Sequence, residues 1–231
     1  MVRTVDRGWN TMSVSSGVEF TLPLGAWRSG SRPEVQFVLS DRSDNSRTLG
    51  PWPIPEVATR IPVKPIYPPY VNHALMRLAL DNARPGDTVE LAAGVYRLGD
   101  SVVPAGVVFR GVSSTECVVY GNLRPKNGVR LENFTLVEDW YTFQKSGVVV
   151  DSTDSVSMHN VILRGFAYGV DVRGSGAAVR AEDVTSIHRG FGFRVRTGAR
   201  GNFVRCLAWS TDYEGESRIG FKVDHGGQGV F

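Results

Sequence analysis

Four short apolar segments recur in the second half of the chain at nearly constant spacing. They are GVVVD at 147–151, GVDVR at 169–173, GFRVR at 192–196 and GFKVD at 220–224, so successive segments lie 22, 23 and 28 residues apart. A period of roughly 20 to 30 residues is typical of solenoids, whose coils bury their apolar faces by stacking on one another. The repeat therefore predicts an all-β fold, a right-handed parallel β-helix.

A second set of segments keeps step with the first. LENFTL at 131, MHNVIL at 158, AEDVTS at 181 and VRCLAW at 204 place four residues in one column, Asn133, Asn160, Asp183 and Cys206. Stacked asparagines hydrogen-bond one another and turn backbone, so we expect this column at a corner of the coil. We interpret Cys117 and Cys206 as small buried residues, because no C-x-x-C spacing indicates a metal or redox site.

Side chains alternate along a strand, and this alternation predicts two outward columns. Positions 148 and 150, 170 and 172, 193 and 195, and 221 and 223 are all Val or Phe and should point inward. The outward columns are then Val149, Asp171, Arg194 and Lys222, and Asp151, Arg173, Arg196 and Asp224. We expect exposed ion pairs between adjacent coils, namely Asp151–Arg173, Asp171–Arg194 and Arg196–Asp224, each worth about 0 to 1 kcal/mol.

The N-terminal part of the chain has a different organisation. Residues 1–50 contain two alternating segments, at 17–22 and 34–39, which predict a small β element. Seven of the 12 prolines lie in residues 51–69, which we interpret as a linker or extended arm. Residues 70–83 have helical spacing and predict a helix that caps the β-helix of residues 70–231; the expected apolar stripe is Val71, Ala74, Leu75, Leu78 and Ala79.

Composition and charge restrict the class of protein. The hydrophobic fraction of 42% is sufficient for a core, and 26 basic against 23 acidic residues give a net charge of only +3. This balance disfavours a nucleic-acid partner. No run of 18 apolar residues occurs and the start, MVRTVDRGWNTMS, lacks the apolar stretch of a signal peptide. We therefore expect a soluble chain with no membrane partner and no Sec export signal.

The passage ALMRLALDNARPGDTVELAAGVYRL at 74–98, followed by GVVFRG, GVRLENFTL and the repeats, resembles a known superfamily. It is similar to the right-handed parallel β-helix proteins that include pectate-lyase-like proteins and phage tailspikes, and the similarity covers roughly residues 70–231. The resemblance implies either the binding or cleavage of acidic or branched polysaccharides, or a rigid part in a virion or adhesin. In the lyases of this family, aspartates hold Ca²⁺ against a uronate carboxylate and an Arg or Lys abstracts the α-proton.

This resemblance makes the outward columns the first candidate site. Arg194 and Asp171 are candidate catalytic residues there, and Glu214, in the longest step of the repeat, is a third. Charges alternate in sign along each column, and this favours ion pairs over a saccharide-binding strip, a catalytic site or a Ca²⁺ site. We therefore expect no cofactor and no metal, with Ca²⁺ as the alternative.

Aromatic residues suggest a second candidate site, because sugar rings stack on exposed aromatic faces. Trp140, Tyr141 and Tyr213 lie in irregular segments and are the candidate saccharide-binding residues. Phe166 and Phe191 repeat at 25 residues and are instead predicted to stack inside the solenoid.

Two functions from different classes remain open. The favoured one is a non-enzymatic structural or adhesive subunit of a larger assembly, a phage virion, in which residues 1–69 contact other protein subunits. We expect a homo-oligomer, because GGQGVF ends the sequence on an unfinished coil whose strand edges need cover. The alternative is a polysaccharide lyase, epimerase or hydrolase that acts on acidic polysaccharide. The expected location is the virion, or else the cell surface or extracellular space.

Overall fold

A computed structural model describes residues 2–4, 34–40, 46–53, 60–64, 72–139, 146–152, 154–211, 219–224 and 226–231. The chain forms two compact units, Met1–Val57 and Ala58–Phe231. In the first unit, strands β1 (Val2–Thr4), β2 (Glu34–Ser40) and β3 (Ser46–Pro53) form an antiparallel sheet in the order β1-β2-β3. The predicted alternating segment at 34–39 lies in β2, whereas the segment at 17–22 lies outside the described residues.

The second unit contains one described helix and many short strands. The helix is α1 (Asn72–Asn82). The strands are β4 (Arg60–Val63), β5 (Thr88–Leu91), β6 (Gly94–Val103), β7 (Val108–Gly111), β8 (Cys117–Pro125), β9 (Val129–Val137), β10 (Ser146–Asp151), β11 (Ser155–Arg164), β12 (Tyr168–Arg173), β13 (Ala178–Glu182), β14 (Thr185–His188), β15 (Phe191–Arg196), β16 (Arg200–Val204), β17 (Leu207–Ser210), β18 (Ile219–Asp224) and β19 (Gln228–Val230).

These strands form three parallel sheets, and successive strands along the chain belong to different sheets. Sheet A contains the second halves of β6 and β8, then β10, β12, β15 and β18. Sheet B contains β4, β5, β7, the first halves of β9 and β11, then β13, β16 and β19. Sheet C contains the first halves of β6 and β8, the second halves of β9 and β11, then β14 and β17. The predicted parallel β-helix is confirmed.

The predicted interior column of sheet A is confirmed. Val148 pairs with Val170, Val170 with Phe193, and Phe193 with Phe221 on successive coils. The first three side chains are fully buried, and the rings of Phe193 and Phe221 stack with centroids 4.8 Å apart. The spacing of 22, 23 and 28 residues in the sequence therefore equals the length of each coil along this column.

The glycine that begins each repeat has a steric role. A Cβ atom on Gly169 would lie 2.5 Å from the carbonyl oxygen of Gly192, and a Cβ atom on Gly192 would lie 2.6 Å from that of Gly220. Real Cβ atoms do not approach other atoms so closely. The corner between sheets C and A is therefore too tight for any side chain, and the sequence repeats glycine there.

Helix α1 and strand β4 cover the first coil. Met76, Ala79 and Leu80 are buried, and α1 packs against β6 and β4. The predicted apolar stripe is only partly correct: Ala79 is buried, Ala74 and Leu78 are exposed, and Val71 lies outside the described residues. The buried face combines Met76 with Ala79 and Leu80, three and four residues later. Strand β4 lies within the segment predicted as an arm, and Pro62 is tolerated there because β4 is an edge strand.

Tyr96 attaches β4 to the first coil. Its hydroxyl lies 2.7 Å from the carbonyl oxygen of Ala92 and 3.0 Å from that of Val63, and it donates its proton to this pair. Burial raises the pKa of Tyr96 to about 12, so the hydroxyl keeps this proton at neutral pH.

The last described coil differs from the first. Val223 and Phe231 continue interior columns but are 42% and 58% exposed, whereas Val195 and Phe203, their counterparts one coil earlier, are 0% and 3% exposed. Phe231 stacks on Phe203 with ring centroids 5.3 Å apart. Among the described residues, these two interior positions are therefore less covered than their counterparts one coil earlier.

Candidate functional site

The outer face of sheet A carries the two predicted charged columns. Asp151 lies opposite Arg173, Asp171 opposite Arg194, and Arg196 opposite Asp224 on adjacent strands, so the predicted backbone register is correct. The charged side chains of this face are Asp100, Asp151, Asp171, Asp224, Arg124, Arg173, Arg194, Arg196 and Lys222, which carry one more positive than negative charge.

One of the three predicted ion pairs forms and the other two are replaced by diagonal pairs. The guanidinium of Arg173 contacts both carboxylate oxygens of Asp151, as predicted. Asp171 pairs with Arg196, Nη2 to Oδ2 at 2.9 Å, and Asp224 pairs with Arg194, Nε to Oδ2 at 3.0 Å. The predicted pairs Asp171–Arg194 and Arg196–Asp224 are therefore wrong, because each guanidinium reaches one coil away and two residues along the strand.

Asp171 is not exposed, in contrast to the prediction for its column. It is 1% exposed, and within the described part of the chain its Oδ1 makes no hydrogen bond. The Nε atom of Arg196 is also buried and unsatisfied in that part. A buried carboxylate needs a charged partner, and Arg196 together with Arg173, at 3.9 Å, surrounds Asp171 with positive charge. This arrangement repels Ca²⁺, so the residues do not fit a calcium site.

The hydrogen bond from Arg173 lowers the pKa of Asp151, and this effect outweighs the opposing effect of burial. The same bond raises the pKa of Arg173. Both groups are therefore ionised at neutral pH, and neither supplies a proton donor or acceptor near pH 7.

Two half-buried aromatic rings lie beside the charged columns. Tyr168 and Phe191 are opposite each other on β12 and β15, and their rings stack with centroids 5.4 Å apart. The Arg194 guanidinium lies 5.2 Å and the Lys222 ammonium 4.7 Å from the Phe191 centroid. The prediction of an interior ladder is correct for Phe166, which is buried, and wrong for Phe191, whose ring is half-exposed under two cations.

The corner between sheets B and C carries the predicted polar column, with one correction. Asn133, Asn160, Asp183 and Arg205 have left-handed backbone, with φ between 51° and 59°. Asn160 Nδ2 donates to Asn133 Oδ1 at 3.0 Å, and the Arg205 guanidinium contacts both oxygens of Asp183 at 2.8 Å. The fourth member is therefore Arg205, not Cys206, because Glu182 pairs with Val204 and the predicted alignment is one residue out of register.

The cysteines lie inside or beside the core, as expected. Cys117 is buried, Cys206 is half-buried, and neither forms a disulfide. Burial raises the pKa of the Cys206 thiol. Within the described residues, no group of three or more His, Cys, Asp and Glu side chains is arranged to hold a metal ion.

The predicted saccharide-binding residues Trp140, Tyr141 and Tyr213 lie outside the described residues, as does the candidate catalytic residue Glu214. The described residues before Trp140 are held by ion pairs. Arg97 Nε lies 2.9 Å from Asp139 Oδ2, and Arg189 contacts Glu138, whose pKa is raised by burial against the opposing effect of Arg189. Glu138 and Asp139, the last described residues before Trp140, are therefore fixed to the coil by ion pairs.

Sequence reasoning did not identify a buried polar pair inside sheet C. Ser186 and His188 lie on β14, and their side chains are buried in the core. On the preceding coil, Leu163 lies opposite Ser186. His188 Nδ1 lies 3.2 Å from the Ser186 carbonyl oxygen, and its Nε2 has no hydrogen bond in the described part. Burial lowers the pKa of His188. The only feature of the sequence that could have indicated this pair is the glycine that begins each repeat, because Ser186 packs against Gly169.

Comparisons with known proteins give no identification. No protein-family model, no curated protein and no solved structure matches this chain. Among the described residues, no helix has the length and apolar character to cross a membrane.

Proposed function

We propose that this chain is a structural subunit of a larger assembly, in which the β-helix is a rigid body. The carboxylates on the outer face of sheet A carry the proposal, because Asp151, Asp171 and Asp224 are each held by an arginine of an adjacent coil. Two large apolar side chains on the outside of the coil, Leu207 and Trp209, are also exposed, and exposed apolar patches are typical of surfaces that contact other molecules.

The outer face of sheet A supports a structural function. Asp171 would have to leave Arg196 before it could bind a metal ion or accept a proton, and Asp224 would have to leave Arg194. Asp171 is buried, and leaving a buried charge without its partner costs roughly 3 to 5 kcal/mol. These carboxylates are therefore better suited to holding adjacent coils together than to binding a substrate or reacting with it.

The assembly that we propose is a phage virion, as the similarity to the tailspike and pectate-lyase-like branch of β-helix proteins implies. Residues 1–69 are the proposed attachment to other subunits. About fifty residues of sparse β pattern joined to a proline-rich arm bury little apolar surface alone, so a partner must supply the remaining burial.

Cross-linking mass spectrometry on the native particle tests this function. We expect cross-links from residues 1–69 to another subunit. A chain that begins at Ala58 keeps β4 and its contact with Tyr96, and we expect it to fold but not to be incorporated. Incorporation of this shortened chain at the wild-type level would contradict the proposed attachment.

An enzyme that acts on acidic polysaccharide is the second candidate, and the aromatic and cationic strip of Tyr168, Phe191, Arg194 and Lys222 favours it. A cation beside a half-exposed ring is suited to a uronate sugar, which has a carboxylate and an apolar face. The assay follows unsaturated product at about 235 nm and reducing ends with a panel of uronate-containing and neutral polysaccharides. Turnover that is lost in Arg194→Ala or Glu214→Gln, and kept in the control Arg205→Ala, would replace the structural proposal.

A further inference from the structure

The outer face of sheet C is apolar along its whole length. The strand pairings from β6 to β17 place two columns of outward side chains in register across this face. Column 1 is Val95, Val118, Thr135, Ile162, Thr185 and Leu207, and column 2 is Arg97, Tyr120, Val137, Arg164, Ile187 and Trp209. Ten of these twelve side chains are uncharged, and none is acidic.

Four of these side chains are exposed, and they lie towards both ends of the face. Val95 is 42% and Tyr120 38% exposed on β6 and β8, whereas Leu207 is 53% and Trp209 65% exposed on β17. Monomeric proteins rarely expose contiguous apolar patches larger than a few hundred Å². The face therefore has the character of a contact surface, and this character does not depend on a single coil.

The other two outer faces of the β-helix are charged. Sheet A carries the ion pairs described above, and sheet B presents Glu90, Arg110, Glu132, Arg180 and Glu182 outward. Neither face is apolar along its length. In the described β-helix, the surface that matches the apolar face of sheet C is therefore the same face of a second copy, and such a contact is isologous and closes after two copies.

The size of the face suits a reversible dimer. Six strands about 4.8 Å apart make it about 24 Å long, and about six residues of each strand from corner to corner make it about 20 Å wide. It therefore covers roughly 500 Å² in projection, which is below the about 800 Å² per partner of a standard interface and in the range of transient ones. We expect a dimer that dissociates at micromolar concentration.

Arg164 determines how the two copies are oriented. It is exposed near the middle of column 2, and in the described part of the chain no carboxylate forms an ion pair with it. A two-fold axis that runs across the middle of the face would pack column 2 on column 2. The two Arg164 side chains would then lie about one coil apart, and like charges so close are destabilising.

A two-fold axis that runs along the β-helix avoids this repulsion. It packs column 1 of each copy on column 2 of the other, with equal coils opposite each other. The aliphatic stem of Arg164 then covers Ile162 of the second copy, and the two guanidinium groups reach solvent at opposite edges of the contact.

We propose that two copies of this chain form a parallel, side-by-side dimer through the outer faces of sheet C, about a two-fold axis that runs along the β-helices. The inference rests on the proposed structural function and names a partner for the exposed apolar side chains of sheet C. The charged faces of sheets A and B lie on the outside of this dimer.

Sedimentation velocity of the full 231-residue chain between about 1 and 100 μM tests the dimer. We expect a species of twice the 25.3 kDa chain mass. Val95→Lys should weaken dimerisation roughly tenfold or more, because it places an ammonium group in an apolar contact, and Leu207→Lys should act in the same direction.

Val102→Lys is the matched control. Val95 and Val102 are both exposed valines of β6, at 42% and 49%, but Val102 lies on the outer face of sheet A. The control should leave the dimer unchanged, and circular dichroism should show that all three variants fold.

A thiol cross-link tests the orientation. Val95→Cys and Leu207→Cys are prepared separately in a Cys206→Ser background, so that the half-buried native thiol does not react. A short bismaleimide should link residue 95 to 95 and residue 207 to 207, as identified by mass spectrometry. A mixture of the two variants should give no link from 95 to 207, because these positions lie about 24 Å apart along the β-helix.

Two results would overturn the inference: a wild-type chain that is monomeric at about 100 μM, or a dimer that neither Val95→Lys nor Leu207→Lys weakens. Links from 95 to 207 alone would contradict the parallel orientation. Incorporation into the native particle is measured separately. A monomeric chain that is still incorporated would leave the proposed function standing and remove only the dimer, whereas a dimer that is never incorporated would do the reverse.

Discussion

The two ends of the β-helix differ in how the same kind of interior column is terminated. At the first coil, Val89 and Leu91 are completely buried beneath α1 and β4. At the last coil, Val223 and Phe231 continue interior columns and are half-exposed. The apolar residues are alike, so the difference lies only in what stacks on them. An interior residue of a solenoid therefore depends on its neighbouring coils for burial.

This dependence has an energetic consequence. In a solenoid the free energy of unfolding is approximately a sum of contributions from each coil and each interface between coils. A coil with one interface is therefore less stable than a coil with two. We expect the first coils, beneath α1 and β4, to be more stable than the last described coil.

The largest expected effect compares two phenylalanines in one column of sheet B. Phe109, near the capped end, is fully buried and its ring contacts Phe134, with centroids 5.2 Å apart, whereas Phe231 is 58% exposed. Phe109→Ala leaves a cavity and should lower the free energy of unfolding by about 3 to 5 kcal/mol. Phe231→Ala leaves no closed cavity and should cost only about 1 kcal/mol.

Urea denaturation measures the free energy of unfolding of both variants. Equal losses of stability for the two substitutions would show that burial at the two ends has the same energetic weight. A loss for Phe231→Ala that increases with protein concentration would show that another molecule buries this residue.

A smaller effect is expected at the contact that holds the cap. Tyr96→Phe removes the hydroxyl that bonds the carbonyl oxygens of Val63 and Ala92, and it should lower stability by about 1 kcal/mol. Hydrogen exchange should accelerate in β4 and α1 and remain unchanged in β18. Tyr120→Phe is the control, because Tyr120 is exposed on the outside of the coil and should change stability by less than about 0.5 kcal/mol. Unchanged exchange in β4 would mean that this hydroxyl does not hold the cap.

The smallest effect is a dependence of stability on pH near the last coil. Because burial lowers the pKa of His188, the unfolded chain takes up a proton below about pH 6.5 that the folded chain takes up only at lower pH. Stability from neutral His188 is therefore fully present above pH 6.5 and declines as the pH falls towards the folded pKa. One proton limits the slope to about 1.4 kcal/mol per pH unit.

Denaturation at pH 7.5 and 5.5 checks this effect. The slope should be smaller in His188→Gln than in the wild-type chain. Hydrogen exchange at pH 5.5 should locate the loss in β14 to β19 and not in β5 to β9. An equal loss in both halves would contradict the view that the ends respond separately.

Much of the fold could be predicted because strand alternation and coil length are local properties of the sequence. One face of sheet A contains the valines at 148, 170 and 172 and the phenylalanines at 193 and 221. These residues share a face only if side chains alternate every second residue within a strand and equivalent positions recur once in each coil. The position of each charged residue on the outer face followed from the same rule. The backbone register of the candidate site was thus available before the structure.

The ion pairs themselves could not be predicted in the same way. An arginine side chain is longer than the distance between strands, so it can reach the opposite residue or a diagonal one, and the choice depends on packing. The corner at Arg205 was missed because the left-handed position favours Asn, Asp or Gly, and Arg gives no such signal. A one-residue slip to Cys206 was the result. The functions predicted for Trp140 and Glu214 stay predictions.

The pairing of each strand with its neighbours on the previous and next coils also sets the order in which the chain can fold during synthesis. The first strands and the helix that cover the interior leave the ribosome before the last coil is translated. Each new coil, 22 to 28 residues long in sheet A, then finds a finished edge on which to stack. The coils can therefore fold in chain order, starting from those that α1 and β4 cover.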